Sequence, residues 1–320
     1  MSDALLRVEN LRVSFHVNNG WADAVRGVNL SVMPGEAVGL VGESGSGKSV
    51  TALAVMRLLV PPACISGGHV YFAEEDLTRL SERRMRELRG GRISMVFQDP
   101  LSSLNPAFTI GQQLVDTITT HQRVNGRRAR ELAVEALAMV GIPYPERRVY
   151  SYPHELSGGM RQRALIAMAI ACRPALLIAD EPTTALDVTV QAQIVALLRR
   201  LKQELNLAVL FISHNLDLVA ELCDRVAVMY AGTVVEAGNV EQLFSVPRHP
   251  YTVMLQRCIP RLDSVAQRLE SIDGAPPVIS RPLPGCTFAP RCPSADDRCR
   301  ELVPAQRVVS GHQVACWKVQ

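Results

Sequence analysis

The chain reads as an α/β protein built on a mostly parallel sheet, and three features of the sequence predict this. Short, continuous apolar runs recur at 93–97, 176–179, 209–212 and 226–229, as strands buried on both faces require. Stretches with helical periodicity separate these runs. Near the front, Val38-Gly39-Leu40-Val41 passes through glycines into residues 48–59, whose apolar positions fit a helix, so strand, loop and helix follow one another.

Each element can be justified in order. Residues 5–15 and 25–32 alternate apolar with polar side chains, the period of half-buried strands in an antiparallel sheet. Residues from about 100 to 170 are mainly helical by pattern and lie between two strands. That is more chain than a simple crossover needs, and it predicts an inserted helical subdomain. From Pro247 onward the prolines crowd together at Pro250, Pro260, Pro276, Pro277, Pro282 and Pro284, a density that opposes regular structure. The domain boundary is therefore expected near 245, with a large domain over 1–245 and a small irregular one over 246–320. A length of 320 residues, 48% of them apolar, is sufficient for that arrangement. No internal repeat or low-complexity tract interrupts it.

Charge and hydropathy exclude several classes. A net charge of +3, dispersed along the chain, is too slight for the electrostatic footprint of a nucleic-acid binder, so no nucleic-acid partner is expected. The first thirty residues mix Asp3, Arg7, Glu9 and Arg12 with apolar residues and form no export signal, which predicts a protein that stays in the cytoplasm. The longest apolar run, 164–172, stops at Arg173 and Pro174, short of the ~20 residues that span a bilayer. Any membrane link is then expected to run through a partner. Of eight cysteines, four are scattered, while Cys286, Cys292, Cys299 and Cys316 crowd the tail. A reducing cytoplasm argues against structural disulfides among them.

The most specific motif is Gly42-Glu43-Ser44-Gly45-Ser46-Gly47-Lys48-Ser49, which matches GxxxxGK(S/T) between a predicted strand and a predicted helix. Glycines let the backbone curl so that successive N–H groups face phosphate oxygens, and the following helix adds the positive end of its dipole. Lys48 is placed to reach the β- and γ-phosphates, and the Ser49 hydroxyl to ligate Mg²⁺; Val50 continues the loop into the helix. A bare glycine turn before a helix is the alternative, but every fixed position of the motif is filled.

Residues 176–181, Leu-Leu-Ile-Ala-Asp-Glu, form an apolar strand that delivers two carboxylates to its carboxyl end, where ligands of open α/β sheets gather. Asp180 suits Mg²⁺ and Glu181 suits the general base for an attacking water. Alone, such a pair is often a solvated turn; beside a phosphate loop it reads as catalytic. Leu156-Ser157-Gly158-Gly159-Met160 precedes a helical run, with Ser157 suited to the N-cap. Two glycines in a first helical turn cost about 1 kcal/mol each relative to alanine, which suggests close approach to the backbone, most naturally by a phosphate.

Together these residues resemble the ATP-binding cassette (ABC) transporter ATPases over nearly the whole chain. The Walker A loop at 42–49, the signature at 156–160 and the Walker B strand at 176–181 come in that family's order. The resemblance implies a P-loop NTPase core with an antiparallel β subdomain. It also implies that Gln98 is the Q-loop residue, a further ligand near Mg²⁺, that Ala185-Leu186-Asp187 is the D-loop, and that His214 is the switch histidine at the γ-phosphate. It implies too that the signature, Ser157 with Gly158 and Gly159, caps nucleotide on a second ATPase subunit, paired head to tail as a heterodimer. Met160 departs from the usual glutamine. Phe15 falls where the family places an aromatic ring against adenine, with Trp21 nearby; an aromatic in a strand is also ordinary core.

The tail cysteines follow C-x5-C-x6-C-x16-C, which is not the paired CxxC of a zinc ribbon. Spacing alone leaves a metal site, free thiols and paired thiols open. Residues 247–252, Pro-Arg-His-Pro-Tyr-Thr, with Cys286 and Pro290-Arg291-Cys292-Pro293, are similar to the C-terminal extension of ATPases from bacterial di- and oligopeptide importers. That similarity implies a four-iron four-sulfur (4Fe–4S) cluster on Cys286, Cys292, Cys299 and Cys316. It also implies two membrane permease subunits, an extracytoplasmic solute-binding protein and a location on the cytoplasmic face of the inner membrane. The expected function is then ATP hydrolysis driving uptake of a peptide or related small solute. A soluble cassette ATPase acting on nucleic acid or ribosomes is the alternative, disfavoured by a single cassette without heptads. A non-hydrolysing ATP sensor is a third reading, and Glu181 argues against it.

Overall fold

A computed structural model describes residues 4–17, 20–99, 103–258, 272–275, 277 and 284–319. Pro260, Pro276 and Pro282 of the proline-rich stretch, and residues 100–102 at the start of the expected helical insert, lie outside the described residues. In chain order the strands are β1 (Leu6–Val17), β2 (Gly20–Val32), β3 (Ala37–Val41), β4 (Ala63–Phe72), β5 (Glu75–Asp76), β6 (Ile93–Val96), β7 (Leu176–Asp180), β8 (Ala208–Ser213), β9 (Arg225–Tyr230), β10 (Thr233–Asn239), β11 (Arg307–Val309) and β12 (His312–Val314). The helices are α1 (Lys48–Val55), α2 (Glu82–Leu88), α3 (Ile110–His121), α4 (Gly126–Met139), α5 (Pro145–Arg148), α6 (Gly158–Ile170), α7 (Val188–Leu205), α8 (Leu216–Leu222), α9 (Val240–Ser245), α10 (Pro250–Arg257) and α11 (Asp297–Glu301).

By contacts the chain divides into two compact units, neither of them continuous in sequence. One comprises Met1–Leu5, Val32–Ala37 and Arg79–Ile212. Within it β6, β7 and β8 pair in parallel, with Ile93 beside Leu176 and Leu176 beside Ala208. Every residue of β7 is buried, and Leu176, Leu177 and Ile178 have no exposed surface. At about 1.5–3 kcal/mol for each such side chain, burial fixes the strand that ends in Asp180. Between β6 and β7 stand α3, α4 and α6, the helical insert read from the sequence. A full capping box starts α3, with Thr109 and Gln112 exchanging side-chain and backbone bonds.

The other unit comprises Leu6–Ser31, Val38–Thr78 and Ser213–Gln320. It holds an antiparallel sheet in the order β2-β1-β4-β5. It also holds β3 paired in parallel with β9, followed antiparallel by β10, β12 and β11. The alternation over 5–15 and 25–32 thus marks true strands, β1 and β2. Helix α1 ends at Val55, earlier than the apolar pattern suggests, because Arg57 takes a left-handed conformation at φ 50° that an α-helix cannot continue through.

The tail is more regular than its prolines suggest. Pro250 occupies the first turn of α10, where its missing N–H costs nothing, and His249 caps that helix by accepting from the Tyr251 amide at 3.0 Å. Ser310 and Gly311, both with positive φ, turn the β11–β12 hairpin, and β12 then extends the sheet beside β10.

Candidate functional site

The phosphate loop joins β3 to α1. Gly42 lies at φ 151°, where a β-carbon would come within 2.1 Å of the Met229 carbonyl oxygen, and Gly47 lies at φ 103°, where one would come within 2.6 Å of the Ala24 carbonyl oxygen. Only glycine suits these two positions. Gly45 shares the left-handed region at φ 77° but faces open space. No side chain caps the start of α1, and the N-terminus of a helix directs its dipole and amides toward an anion.

Lys48 is 4% exposed and folds back along the loop, its Nζ donating to the carbonyls of Gly42 and Glu43 at 2.9 Å each. The loop is further pinned by the Gly232 amide donating to the Ser46 carbonyl at 2.9 Å. Ser46 is buried and its hydroxyl has no protein partner. Ser44 is exposed, and Ser49 and Val50 are half-buried. These features fit a polyanion held by backbone amides and one ammonium group.

Two residues that sequence reasoning did not assign to the loop also touch it. Arg291 pairs with the Glu43 carboxylate, and the Tyr251 hydroxyl accepts from the Glu43 amide at 2.9 Å. In the same unit Phe15 is half-buried on β1 opposite Ala63, while Trp21 is 56% exposed and meets His16 edge to face at 5.2 Å. His214 is exposed directly after β8.

In the other unit, Asp180 is buried at the end of β7 and Glu181 follows at φ 46°. A left-handed non-glycine residue of this kind stores strain and gathers at functional sites. The Glu181 carboxylate accepts from Gln98 Nε2 at 3.1 Å and from the Thr184 hydroxyl at 2.9 Å through the same oxygen, Oε2. The structure therefore brings Gln98 and Glu181 together, and Thr184 is a third member that no motif signalled. Ala185, at φ 63°, turns the chain toward Asp187, which caps α7 by accepting from the Val190 amide at 2.9 Å.

Ser157 caps α6, accepting from Met160 N at 3.3 Å, and Ser157 and Gly158 are exposed. Gly159 also has a local packing reason. A β-carbon on Gly159 would lie 2.9 Å from Val190 Cγ1, so packing of α6 on α7 already requires glycine there, whereas Gly158 has ordinary room.

Among the described residues no group of three or more His, Cys, Asp or Glu side chains is arranged to hold a single metal ion. The expected cluster thus gains no support as a metal-ion site. Yet Cys286, Cys292, Cys299 and Cys316 all line one small cavity, together with Phe288 and Trp317. Gly285 admits close approach of the Arg300 carbonyl, and the Cys286 amide donates to the Cys299 carbonyl at 2.8 Å. The Lys318 amide points at Cys316 Sγ at 3.4 Å. Burial raises the thiol pKa of Cys286, Cys292 and Cys299, so these groups stay protonated unless something displaces the proton.

Comparison with known proteins supplies the class. The family described as "ABC transporter" matches residues 25–184, the stretch that carries the phosphate loop, Gln98, the signature and the acidic strand end. The ATP-binding cassette MJ0796, solved as a dimer in a post-hydrolysis state bound to ADP and Pi, is 28% identical with a TM-score of 0.66, over 73% of this chain and 98% of that one. For cbiO1 from Clostridium perfringens, part of the ABC transporter complex cbiONQ, the identity is 29% and the TM-score 0.65, over 76% and 92% of the two chains. Fold and site thus define an ABC transporter ATPase.

The tail narrows the class further. "Oligopeptide/dipeptide transporter, C-terminal region" matches residues 235–299. The "Probable peptide ABC transporter ATP-binding protein y4tR" of Sinorhizobium fredii is 51% identical, over 99% of this chain and 96% of that protein. The oligopeptide transport ATP-binding protein OppD of Escherichia coli is 48% identical, over 99% and 94%. The dipeptide transport ATP-binding protein DppD of Bacillus subtilis is 47% identical, over 98% and 95%. The chain belongs to the ATP-binding subunits of the oligopeptide/dipeptide ABC transporter family, whose ATP hydrolysis is coupled to transport. Among its described residues no helix is long and apolar enough to cross a membrane.

Proposed function

We propose that this chain hydrolyses MgATP to drive uptake of a di- or oligopeptide, working on the cytoplasmic face of the inner membrane. Its partners are two permease subunits, an extracytoplasmic solute-binding protein and a second ATPase subunit paired head to tail. The observation that carries the cargo class is the tail: a sequence matching the oligopeptide/dipeptide C-terminal region follows an ABC cassette in one chain. The division into an ATPase domain over 1–245 and an extension over 246–320 belongs to the same reading.

Within the cassette the roles follow from chemistry. The amides of 42–49 and the Lys48 ammonium hold the β- and γ-phosphates. Ser49, Asp180 and Gln98 would hold Mg²⁺, which when bound neutralises charge on the transferring phosphoryl group. Glu181 polarises the attacking water, with its carboxylate oriented by Gln98 and Thr184. His214 contacts the γ-phosphate, Phe15 stacks on adenine, and Asp187 with Ser157, Gly158 and Gly159 serves nucleotide shared with the partner ATPase. ATP-dependent closure onto that partner and reopening after hydrolysis drive alternating access, because each nucleotide state favours one conformation.

A 4Fe–4S cluster on Cys286, Cys292, Cys299 and Cys316, which line one small cavity, belongs to the same reading. Such a cluster would cross-link the segments that carry the four cysteines, with a structural or redox-sensing role. The hydrolytic roles above do not use it.

Cargo is tested by reconstituting both ATPases and both permeases in vesicles and adding the binding protein loaded with a dipeptide. ATP hydrolysis is expected to rise several-fold. Stimulation by nickel or a glycoside, and not by peptides, would overturn the peptide assignment.

A further inference from the structure

Glu43 places a carboxylate at the second position of a loop that receives a polyanion. An uncompensated carboxylate a few ångströms from a triphosphate opposes binding, and more strongly where water is excluded. The C-terminal tail supplies the compensation. Arg291 presents both terminal nitrogens to Glu43, Nη1 to Oε2 at 2.8 Å and Nη2 to Oε1 at 3.2 Å. The two side chains are only 7% and 22% exposed, so this is a bidentate, largely desolvated pair and not a surface contact.

The arginine is itself fixed. It donates to the Asp273 carbonyl at 2.9 Å, the Ile272 carbonyl at 3.1 Å and the Tyr230 hydroxyl at 3.3 Å. Tyr251, with no exposed surface, holds the Glu43 amide and packs against Tyr230 and Phe288 with ring centroids 4.7 and 5.4 Å away. Side chain and backbone of Glu43 are thus both held from the tail. The Glu43 carbonyl in turn anchors Lys48 Nζ, so its position matters to the residue that meets phosphate.

We infer that Arg291 is a positioning residue for nucleotide binding: it neutralises Glu43 and turns that carboxylate toward the tail, so the C-terminal extension sets the affinity of the phosphate loop for a nucleoside triphosphate. The inference rests on reading residues 42–49 as the triphosphate site.

Equilibrium binding of MgATP and MgADP to the full-length subunit tests it, using Arg291→Ala, Glu43→Gln, the double variant and Lys48→Ala. Arg291→Ala is expected to weaken MgATP about tenfold, equivalent to about 1.4 kcal/mol, and MgADP by less, since ADP carries less charge. Adding Glu43→Gln to Arg291→Ala should bring MgATP affinity back to within about threefold of wild type, because the repelling charge is gone. A residue that only supports packing would show no such rescue. Wild-type affinity in folded Arg291→Ala, or a defect that Glu43→Gln leaves unchanged, overturns the inference.

If Arg291→Ala does not fold, Arg291→Lys decides: it keeps the charge and loses the bidentate geometry, so MgATP affinity is expected to fall about threefold, and wild-type affinity contradicts the inference. Lys48→Ala separates the two layers. Wild-type affinity there removes the triphosphate reading itself, whereas lost binding beside an inert Arg291–Glu43 pair removes only the inference.

Discussion

His249 shows how a single buried side chain makes this tail sensitive to pH. Its exposure is 1%, its Nδ1 accepts from the Tyr251 amide, and burial lowers its pKa from 6.5 to about 4. Around it, Glu236 accepts from the His249 amide at 2.9 Å and from His312 Nδ1 at 3.0 Å. A base whose folded pKa is depressed binds fewer protons folded than unfolded. Its contribution is therefore intact above pH 6.5 and is lost as pH falls toward 4. At about 1.4 kcal/mol per unit, lowering the pH from 7.5 to 5 should remove roughly 2 kcal/mol of stability through this group. Urea unfolding at the two pH values measures it, and His249→Asn, which keeps an N-cap acceptor, should show a smaller loss. An equal loss in the variant would assign the effect to other groups. At this scale the motif residues were legible because their spacing is local: Lys48, Asp180, Glu181 and Ser157 all stand where the sequence put them. Arg291 and Glu43 are 248 positions apart, and no local pattern could have joined them.

Among elements, the strands with unbroken apolar runs were read to within a residue or two, since full burial leaves that mark on the sequence. Strand β4 was missed. Its ACISGGHVYF carries two glycines and a histidine, and pairing with β1 decides its fate where side-chain pattern does not. In the tail the number of prolines predicts irregularity, but position decides: Pro250 at the start of a helix favours structure. Gly159 shows the converse, a glycine whose local packing demand, with Val190 close by, leaves no mark in the sequence pattern. The four-cysteine cavity belongs to this scale too. Anaerobically purified protein is expected to be brown and to carry about four irons per chain, with Cys292→Ser losing both colour and iron. Stoichiometric zinc without iron would overturn the cluster reading.

For the whole molecule, both compact units carry part of the chemistry: one holds the phosphate loop with Arg291 and Tyr251, the other holds Gln98, Asp180 and Glu181. Because Cys292 directly follows Arg291, the residue that neutralises the loop is also the neighbour of a cysteine lining the tail cavity. The central claim is that Glu181 activates the water that splits ATP held on residues 42–49. Its most direct test is MgATP binding and turnover by the reconstituted transporter carrying Glu181→Gln. The claim predicts retained binding with hydrolysis reduced by at least ~100-fold, the scale of a lost general base. Turnover within about twofold of wild type would contradict it.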